Sequence, residues 1–236
     1  MVREVGRVKA LYRYPVKSMG SESLDRIDVG FRGFVGDRRW AFVRGGMERS
    51  GFPWLTIRER PEMWQYQPRF EQPDTPDTST TIVRTPSGDD FDVVDPALAS
   101  ELGHDSRVIR QSVGVFDTFP LSLITTQTIA SIASIVGAEL ENRRFRPNLL
   151  IEATSGTDFP EDEWIGSVLQ IGAMTMRIDK RDKRCVTINV DPVSSQRDAR
   201  VLRAVAQERQ GCLGVYGSTV TPGTVSVGDT VRVIST

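Results

Sequence analysis

Thiols and imidazoles are scarce in this 236-residue chain, which has two cysteines, Cys185 and Cys212, and one histidine, His104. Cys185 stands in Lys183-Arg184-Cys185-Val186-Thr187, shortly after Lys180 and Arg181. Clustered cations stabilise a thiolate against a thiol, so the sequence predicts a Cys185 pKa below the reference of about 8.5. A thiolate is the form that ligates a soft metal or attacks an electrophile. Residue type alone leaves a second role open, because free cysteine also serves as a small buried hydrophobe. Cys212, in Gln210-Gly211-Cys212-Leu213-Gly214, has no basic neighbour beyond Arg209 and is expected to pack. His104 follows Glu101-Leu102-Gly103 in a polar turn and is expected to be exposed. This inventory cannot build a disulfide framework, a four-ligand zinc site of cysteine and histidine, or a metal centre held by two or three histidines.

A second set of candidates is cationic and embedded in turns rather than on helix faces. Tyr14-Pro15-Val16-Lys17-Ser18 ends a first strand, Gly36-Asp37-Arg38-Arg39-Trp40 opens another, and Arg143-Arg144-Phe145-Arg146-Pro147-Asn148 precedes a third. Binding groups collect on loops at strand ends because a rigid scaffold positions them there. Lys17, Arg38 and Arg146 brought together would suit a phosphate or another anion, each charge-assisted hydrogen bond contributing roughly 1.5–3 kcal/mol. Kept apart, each would be a solvated surface cation. No Walker loop or Gly-x-Gly-x-x-Gly fingerprint is present to take a phosphate instead.

The elements that must carry these groups are mostly strands. Apolar residues alternate at Val8, Ala10 and Tyr12, again at Trp40 and Phe42, and a strand is expected at Thr80–Val83, with glycines punctuating at short intervals. That pattern belongs to a barrel or sandwich. Strands are also expected at Phe91–Val94, Met174–Ile178 and Val186–Val190, and Val225–Val233 reads as a hairpin turning at Gly228-Asp229. Two packing helices interrupt them, one over 126–141 capped by Thr125 or Thr126, the other over about 198–210. The proline-rich, acidic stretch 71–79 is expected to be an exposed loop, and a domain boundary falls near 95–106, dividing the chain into 1–95 and 96–236. Lys and Arg number 30 against 31 Asp and Glu, which leaves no global basic field for nucleic acid. No run approaches the roughly 18 apolar residues of a membrane span, and no signal-peptide core opens the chain, so the expected compartment is the cytoplasm.

Read in order, Tyr-Pro-Val-Lys-Ser at 14–18, Gly-Asp-Arg-x-Trp at 36–40, Phe-Arg-Pro-Asn at 145–148, Arg-Cys at 184–185 with Val-Asp-Pro at 190–192, and Pro-Gly-Thr-Val-x-Val-Gly-Asp at 222–229 resemble the MOSC superfamily. The likeness covers nearly the whole chain and is greatest to the branch of the mitochondrial amidoxime-reducing component. It implies an α+β protein, mainly β, with a MOSC-type barrel core and a smaller N-terminal β domain that also contributes cofactor contacts. It implies molybdenum cofactor, the metal held by a pterin dithiolene and by Cys185, with Arg184 beside it. Lys17, Ser18, Arg38, Arg146 and Asn148 take the places that hold the pterin phosphate, Thr118 falls on the pocket lining, and Arg58 is a further candidate. The family commonly has threonine three positions after the cysteine, whereas this chain has Ile188 there and Thr187 one position earlier. No general base is obvious from the sequence, although Asp191 or Asp179 could lie nearby.

The implied activity is reduction of small N-hydroxylated compounds such as amidoximes, hydroxylamines and hydroxylated bases, with release of water. Neither a cysteine-rich ferredoxin tail nor a pyridoxal-phosphate half is present. Electrons would therefore come from a separate redox protein and its reductase, an acidic donor docking near Lys180–Arg184. The competing reading is a non-catalytic carrier of the cofactor, or a sulfur-transfer module using Cys185.

Overall fold

The computed structural model describes residues 2–235. In chain order the first part carries β1 (Arg3–Arg13), β2 (Glu22–Leu24), β3 (Arg26–Gly30), β4 (Gly33–Phe34), β5 (Trp40–Val43), β6 (Gln67–Phe70), β7 (Thr81–Arg84), β8 (Asp90–Asp92), α1 (Pro96–Leu102) and β9 (Arg107–Arg110). The second carries β10 (Leu121–Thr125), α2 (Thr126–Val136), β11 (Leu149–Ala153), β12 (Val168–Ile171), β13 (Met174–Lys183), α3 (Ala199–Arg209), β14 (Cys212–Thr221), β15 (Gly223–Ser226) and β16 (Thr230–Ser235). Strands dominate among the described residues, and three α-helices accompany them.

Seven strands close into a barrel in the order β11-β10-β14-β13-β12-β16-β1, with β1 pairing back onto β11 and β2 added at the edge of β1. All the pairings in the ring are antiparallel except β10 with β11, and closure leaves no open edge inside it, so every strand there has a partner on both sides. The inward positions are the alternating apolar ones: Val5, Val8 and Leu11 of β1 meet Leu121, Leu149, Ile171, Met176, Val215 and Val231. Gly217 permits the tightest approach between barrel strands, since a Cβ there would overlap the Arg177 carbonyl oxygen. On one outer flank Ile124 and Leu150 pack beneath α2 and α3 through Ile129, Ile132, Val201 and Val205.

A second lobe has its own core, in which Val16, Phe42, Leu55, Met63, Val83, Leu98 and Leu102 are buried together. Lobe membership does not follow the chain cut at 95/96: β1 belongs to the barrel, while α1 packs with Phe42 and Val83 and β9 pairs with β5. No helix among the described residues is long and apolar enough to cross a membrane.

Three local expectations change. The segment Val186–Asn189 is a 3-10 turn, not a strand, with the Ile188 N–H on the Cys185 carbonyl at 3.2 Å and the Val190 N–H on the Thr187 carbonyl at 3.1 Å. The valines around Gly228 do share a core, but β15 pairs with β3 while β16 joins the barrel, so the turn links two sheets and is not a hairpin. Donation from Val227 N–H to the Asp25 carbonyl and from Gly228 N–H to the Val8 carbonyl pins that turn between them. The first helix ends at Val136 because Gly137 adopts φ 70, a left-handed cap that stops the spiral before Leu140. The second fits its expected range, with the Asp198 carboxylate capping the Arg200 N–H.

Candidate functional site

The first two cationic motifs, about twenty residues apart, are zipped together. Lys17 N–H donates to the Trp40 carbonyl at 2.8 Å, Trp40 N–H to Pro15 at 3.1 Å, and Arg38 N–H to Tyr14 at 2.7 Å. This short parallel bridge aims Lys17, Ser18 and Arg38 at one end of the barrel, where Arg146 arrives just ahead of β11. Ser18, Arg38 and Arg146 all have left-handed backbones, at φ 68, 50 and 50. Non-glycine residues held there cost of order 1 kcal/mol or more each, and such strain concentrates where a side chain must be aimed.

These residues line a cavity of about 380 Å³ that lies between the two lobes. Of the nine site residues read from the sequence, Lys17, Ser18, Arg38, Arg58, Thr118, Arg146, Arg184 and Cys185 face it. Asn148 does not. Its amide is saturated behind the wall, accepting from Ser122 and from Arg38 Nη1 at 3.4 Å and donating to the Tyr12 carbonyl and the Asp37 carboxylate. It therefore braces Arg38, whose guanidinium also pairs with buried Asp37 and lies 4.8 Å from the Tyr14 ring centre.

Seven Lys and Arg side chains line the cavity against two carboxylates, Asp117 and Asp182. Among the described residues Arg146 has no carboxylate partner. Its guanidinium lies 4.2 Å from the Tyr14 ring and 4.6 Å from the Trp64 ring, Nη1 donates to the Met19 carbonyl at 2.7 Å, and Nη2 is buried with no partner. Burial pushes its pKa down to about 10, which leaves it a cation at neutral pH. Lys17 Nζ donates to the Val115 carbonyl at 3.1 Å and to Asp117 at 2.5 Å. Burial lowers the Lys17 pKa against the pull of Asp117; burial raises that of Asp117, but Lys17, Arg58 and Arg38 outweigh it and hold the carboxyl low.

Cys185 stands at the far wall, at the entry to the 3-10 turn. Its Sγ is 3.2 Å from the Thr187 hydroxyl and accepts from Arg58 Nη2 at 3.5 Å. Burial pushes the thiol up, yet the Thr187 hydroxyl and N–H together with Arg58 prevail and hold it below the ordinary range. The sequence neighbours contribute differently than expected. Arg184 is turned to the Leu213 and Phe145 carbonyls and to Asp182, Arg181 to the Arg209 carbonyl, and Lys180 over the Phe119 ring. The cation that meets the thiol comes from the other lobe, 127 positions earlier. Thr187 supplies a hydroxyl to the sulfur, while Ile188 turns into the core.

Sequence reasoning overlooked several cavity groups. Arg144 donates to the Ile188 and Asn189 carbonyls at 3.2 and 3.1 Å and to Asp191 at 2.7 Å, which fixes the turn that carries Cys185. Asp179 and Asp191 are not on the cavity wall: Asp179 pairs with Arg177 and accepts from Ser218, and Asp191 holds Arg144 and the 193–194 backbone. The carboxylates that do face it are Asp117 and Asp182. Burial pushes Asp182 up to about 6 against the lowering pull of Arg184 and of the Tyr216 hydroxyl. The alternation Asp182, Arg184 at the end of β13 was the only signal available for it.

Known proteins sharpen this picture. Residues 5–117 match the MOSC N-terminal beta barrel domain and residues 110–232 match the MOSC domain. The chain is 22% identical to mitochondrial amidoxime reducing component 2 of Bos taurus across 98% of its own length and 84% of that protein. It is 27% identical to mitochondrial amidoxime-reducing component 1 of Homo sapiens across 53% of its length, a match that spans 40% of that relative. Its fold superposes on the YUAD protein from Bacillus subtilis with a TM-score of 0.56 at 14% identity over 100% of both chains. With the two domain matches lying in tandem over the two walls of one cation-lined cavity, the chain belongs to the MOSC family, which is associated with molybdenum cofactor.

Proposed function

We propose that this chain binds molybdenum cofactor and reduces N-hydroxylated compounds, using electrons from a separate redox protein served by its own reductase. The observation that carries the reading is the pairing, in one cavity, of a thiol held toward its thiolate with a buried guanidinium whose Nη2 has no protein partner. An orphaned buried donor costs about 1–3 kcal/mol, which an anionic ligand would relieve. A thiolate at one wall and cations at the other are the donor set that a pterin phosphate and its soft metal require. The residues present therefore fit the group.

In this reading Cys185 Sγ is the protein's donor to the metal, and Arg58 and Thr187 favour its thiolate and aim it. Lys17, Ser18, Arg38 and Arg146 hold the phosphate, with Asn148 behind Arg38, while Thr118 and Arg184 complete the wall. When bound, the cofactor supplies a two-electron centre at which N–OH is converted to N–H and water with uptake of two protons. Asp182, with a pKa near 6, is the cavity carboxyl able to hold a proton near neutral pH. Phe116 and Phe119 narrow the site and exclude water. Two cysteines and one histidine cannot form an iron–sulfur tetrad or a bis-histidine haem site, which is why an external donor is part of the proposal. The likeness to the bovine amidoxime reducing component over most of both chains supports the substrate class.

The test is expression in a host that makes the cofactor, followed by molybdenum and pterin analysis and a viologen-driven assay on benzamidoxime. Equal molybdenum and pterin with turnover is expected. Bound cofactor without turnover would favour the carrier reading, a persulfide on Cys185 the sulfur-transfer reading, and absence of molybdenum would overturn the cofactor assignment.

A further inference from the structure

Away from the cavity, one surface carries charge and apolar area that neither the fold nor the site uses. Gly30 and Gly33 pair across a two-residue turn, which leaves Phe31 and Arg32 side by side at the tip of the β3–β4 hairpin. Phe31 is 71% exposed, the most exposed large apolar side chain among the described residues. The tip is not loosely held: Gly33, at φ 88, sits so close to the strap before β10 that a Cβ would lie 2.7 Å from the Pro120 carbonyl. An aromatic ring is thus fixed in solvent on a rigid support, where it gains nothing from burial.

Beside it three arginines converge. Arg32 Nη1 and Arg39 Nη1 both donate to the Ser112 carbonyl, Arg39 Nη2 is 3.0 Å from the Asp77 carboxylate, and Arg110 Nη2 donates to the Asp77 carbonyl at 2.5 Å. Two guanidiniums sharing one neutral oxygen repel each other, and Asp77, itself 60% exposed, is their one carboxylate partner. Val113, 46% exposed, continues the apolar area from Phe31, and the two shallow depressions here share Arg32, Arg39 and Asp77. Excess positive charge calls for an anionic ligand, and arginine beside a rigid exposed aromatic is the composition that concentrates binding energy at protein interfaces.

We propose that the face formed by Phe31, Arg32, Arg39, Arg110 and Val113 docks a protein partner that presents acidic side chains around an apolar one. The charge fixes the sign of the partner, and the ring and valine fix the apolar anchor. This inference stands independently of the reductase reading, since none of these five residues lines the cavity.

The test uses the full chain and a labelled acidic peptide containing one phenylalanine, alongside the same peptide with that residue changed to serine, a basic counterpart and a single-stranded oligonucleotide. Fluorescence anisotropy should show the acidic, phenylalanine-containing peptide binding best, with affinity falling as salt rises. Phe31→Ser and the double variant Arg32→Glu/Arg110→Glu should each weaken it by about tenfold or more. Amide shifts should cluster at 31–33, 39 and 110–113, and circular dichroism should show both variants folded. Absence of binding, affinity unchanged in both variants, or shifts confined to Lys17 and Arg58 would overturn the proposal. So would tighter binding of the oligonucleotide, or a concentration-dependent dimer in sedimentation velocity that Phe31→Ser abolishes, which would give the face to a second copy of the chain.

Discussion

The two walls of the cavity are both rich in arginine, yet they use it differently. On the barrel side Arg184 and both Nη groups of Arg144 spend their hydrogens on protein carbonyls and on Asp182 and Asp191, with Arg144 Nε left unpaired. Those cations are struts, and what they hold is the short turn that carries Cys185. On the facing side Arg38 and Arg146 sit on strained backbone, Lys17 follows the bridge from Val16 to Trp40, Arg58 reaches across to Cys185, and Arg146 keeps a buried Nη2 that the protein leaves unpaired. Equal residue type therefore hides two jobs, and the hydrogen-bond partners, not the charge, separate them.

The largest expected effect concerns the thiol on which the two walls converge. Cys185→Ser should leave purified protein without stoichiometric molybdenum, because a serine oxygen is a harder and less readily ionised donor than a thiolate. Cys212→Ser should retain it, since Cys212 does not line the cavity. Metal analysis of both variants decides the matter, and equal retention or equal loss would remove Cys185 from its assigned place.

The next effect contrasts two arginines only two positions apart. Arg144→Ala strands the Ile188 and Asn189 carbonyls and the Asp191 carboxylate, so it should cost about 3 kcal/mol of stability and lower Tm by roughly 6–12 °C. Arg146→Ala gives up one hydrogen bond, to the Met19 carbonyl, together with a buried donor that was already unpaired, and should shift Tm less. Its loss should appear in binding: pyrophosphate titrated into the metal-free chain should bind about 10–150-fold more weakly, the equivalent of roughly 1.5–3 kcal/mol. If calorimetry gave the reverse assignment, struts and binders would have to be exchanged.

Much of this was legible in the sequence, and the limits are physical. Lys17, Arg38, Arg146 and Cys185 could be found because each sits in a turn at the end of an alternating segment, and the helix starts near Thr125 and Asp198 because helix ends have local chemistry, whereas the stop at Gly137 was passed over because apolar spacing continues to Leu140. Val186–Val190 misled because its apolar residues alternate as in a strand, while tertiary hydrogen bonds from Arg144 to the Ile188 and Asn189 carbonyls favour a 3-10 turn. The hairpin at Gly228 misled for a related reason, since turn residues specify the bend and not the sheet that each arm joins. Arg58 as the cation on Cys185 was invisible to any local reading, as the two meet only when the lobes share a cavity.

A third effect tests the barrel wall by pH. The Asp182 carboxyl titrates near 6 in the folded chain, above its ordinary 3.8. Between those values the folded state binds more protons than the unfolded one, so this group's contribution is complete below about pH 4 and is lost as pH rises through about 6. Asp182→Asn cannot ionise and escapes that loss. Measured by denaturant titration, the stability of the variant relative to its parent should climb between about pH 4 and pH 7 by at most about 3 kcal/mol. A difference that stays flat across the window would mean that Arg184 and Tyr216 already compensate the buried charge.

The smallest expected effect asks which wall sets the thiol. Clustered cations in the sequence point to Lys183 and its neighbours, whereas the geometry points to Arg58 and Thr187. In a Cys212→Ser background the rate of alkylation of Cys185 by iodoacetamide, followed against pH, reports its ionisation alone. Arg58→Gln removes a charge that favours the thiolate and leaves burial, which disfavours it, so the midpoint should move up. Thr187→Val should move it in the same direction by taking away the hydroxyl. Lys183→Gln should leave it in place, because the Lys183 ammonium makes no hydrogen bond or ion pair with the sulfur and is screened by solvent. A midpoint that follows Lys183 and ignores Arg58 would return control of the thiol to its sequence neighbours and would leave the facing wall without a part in tuning Cys185.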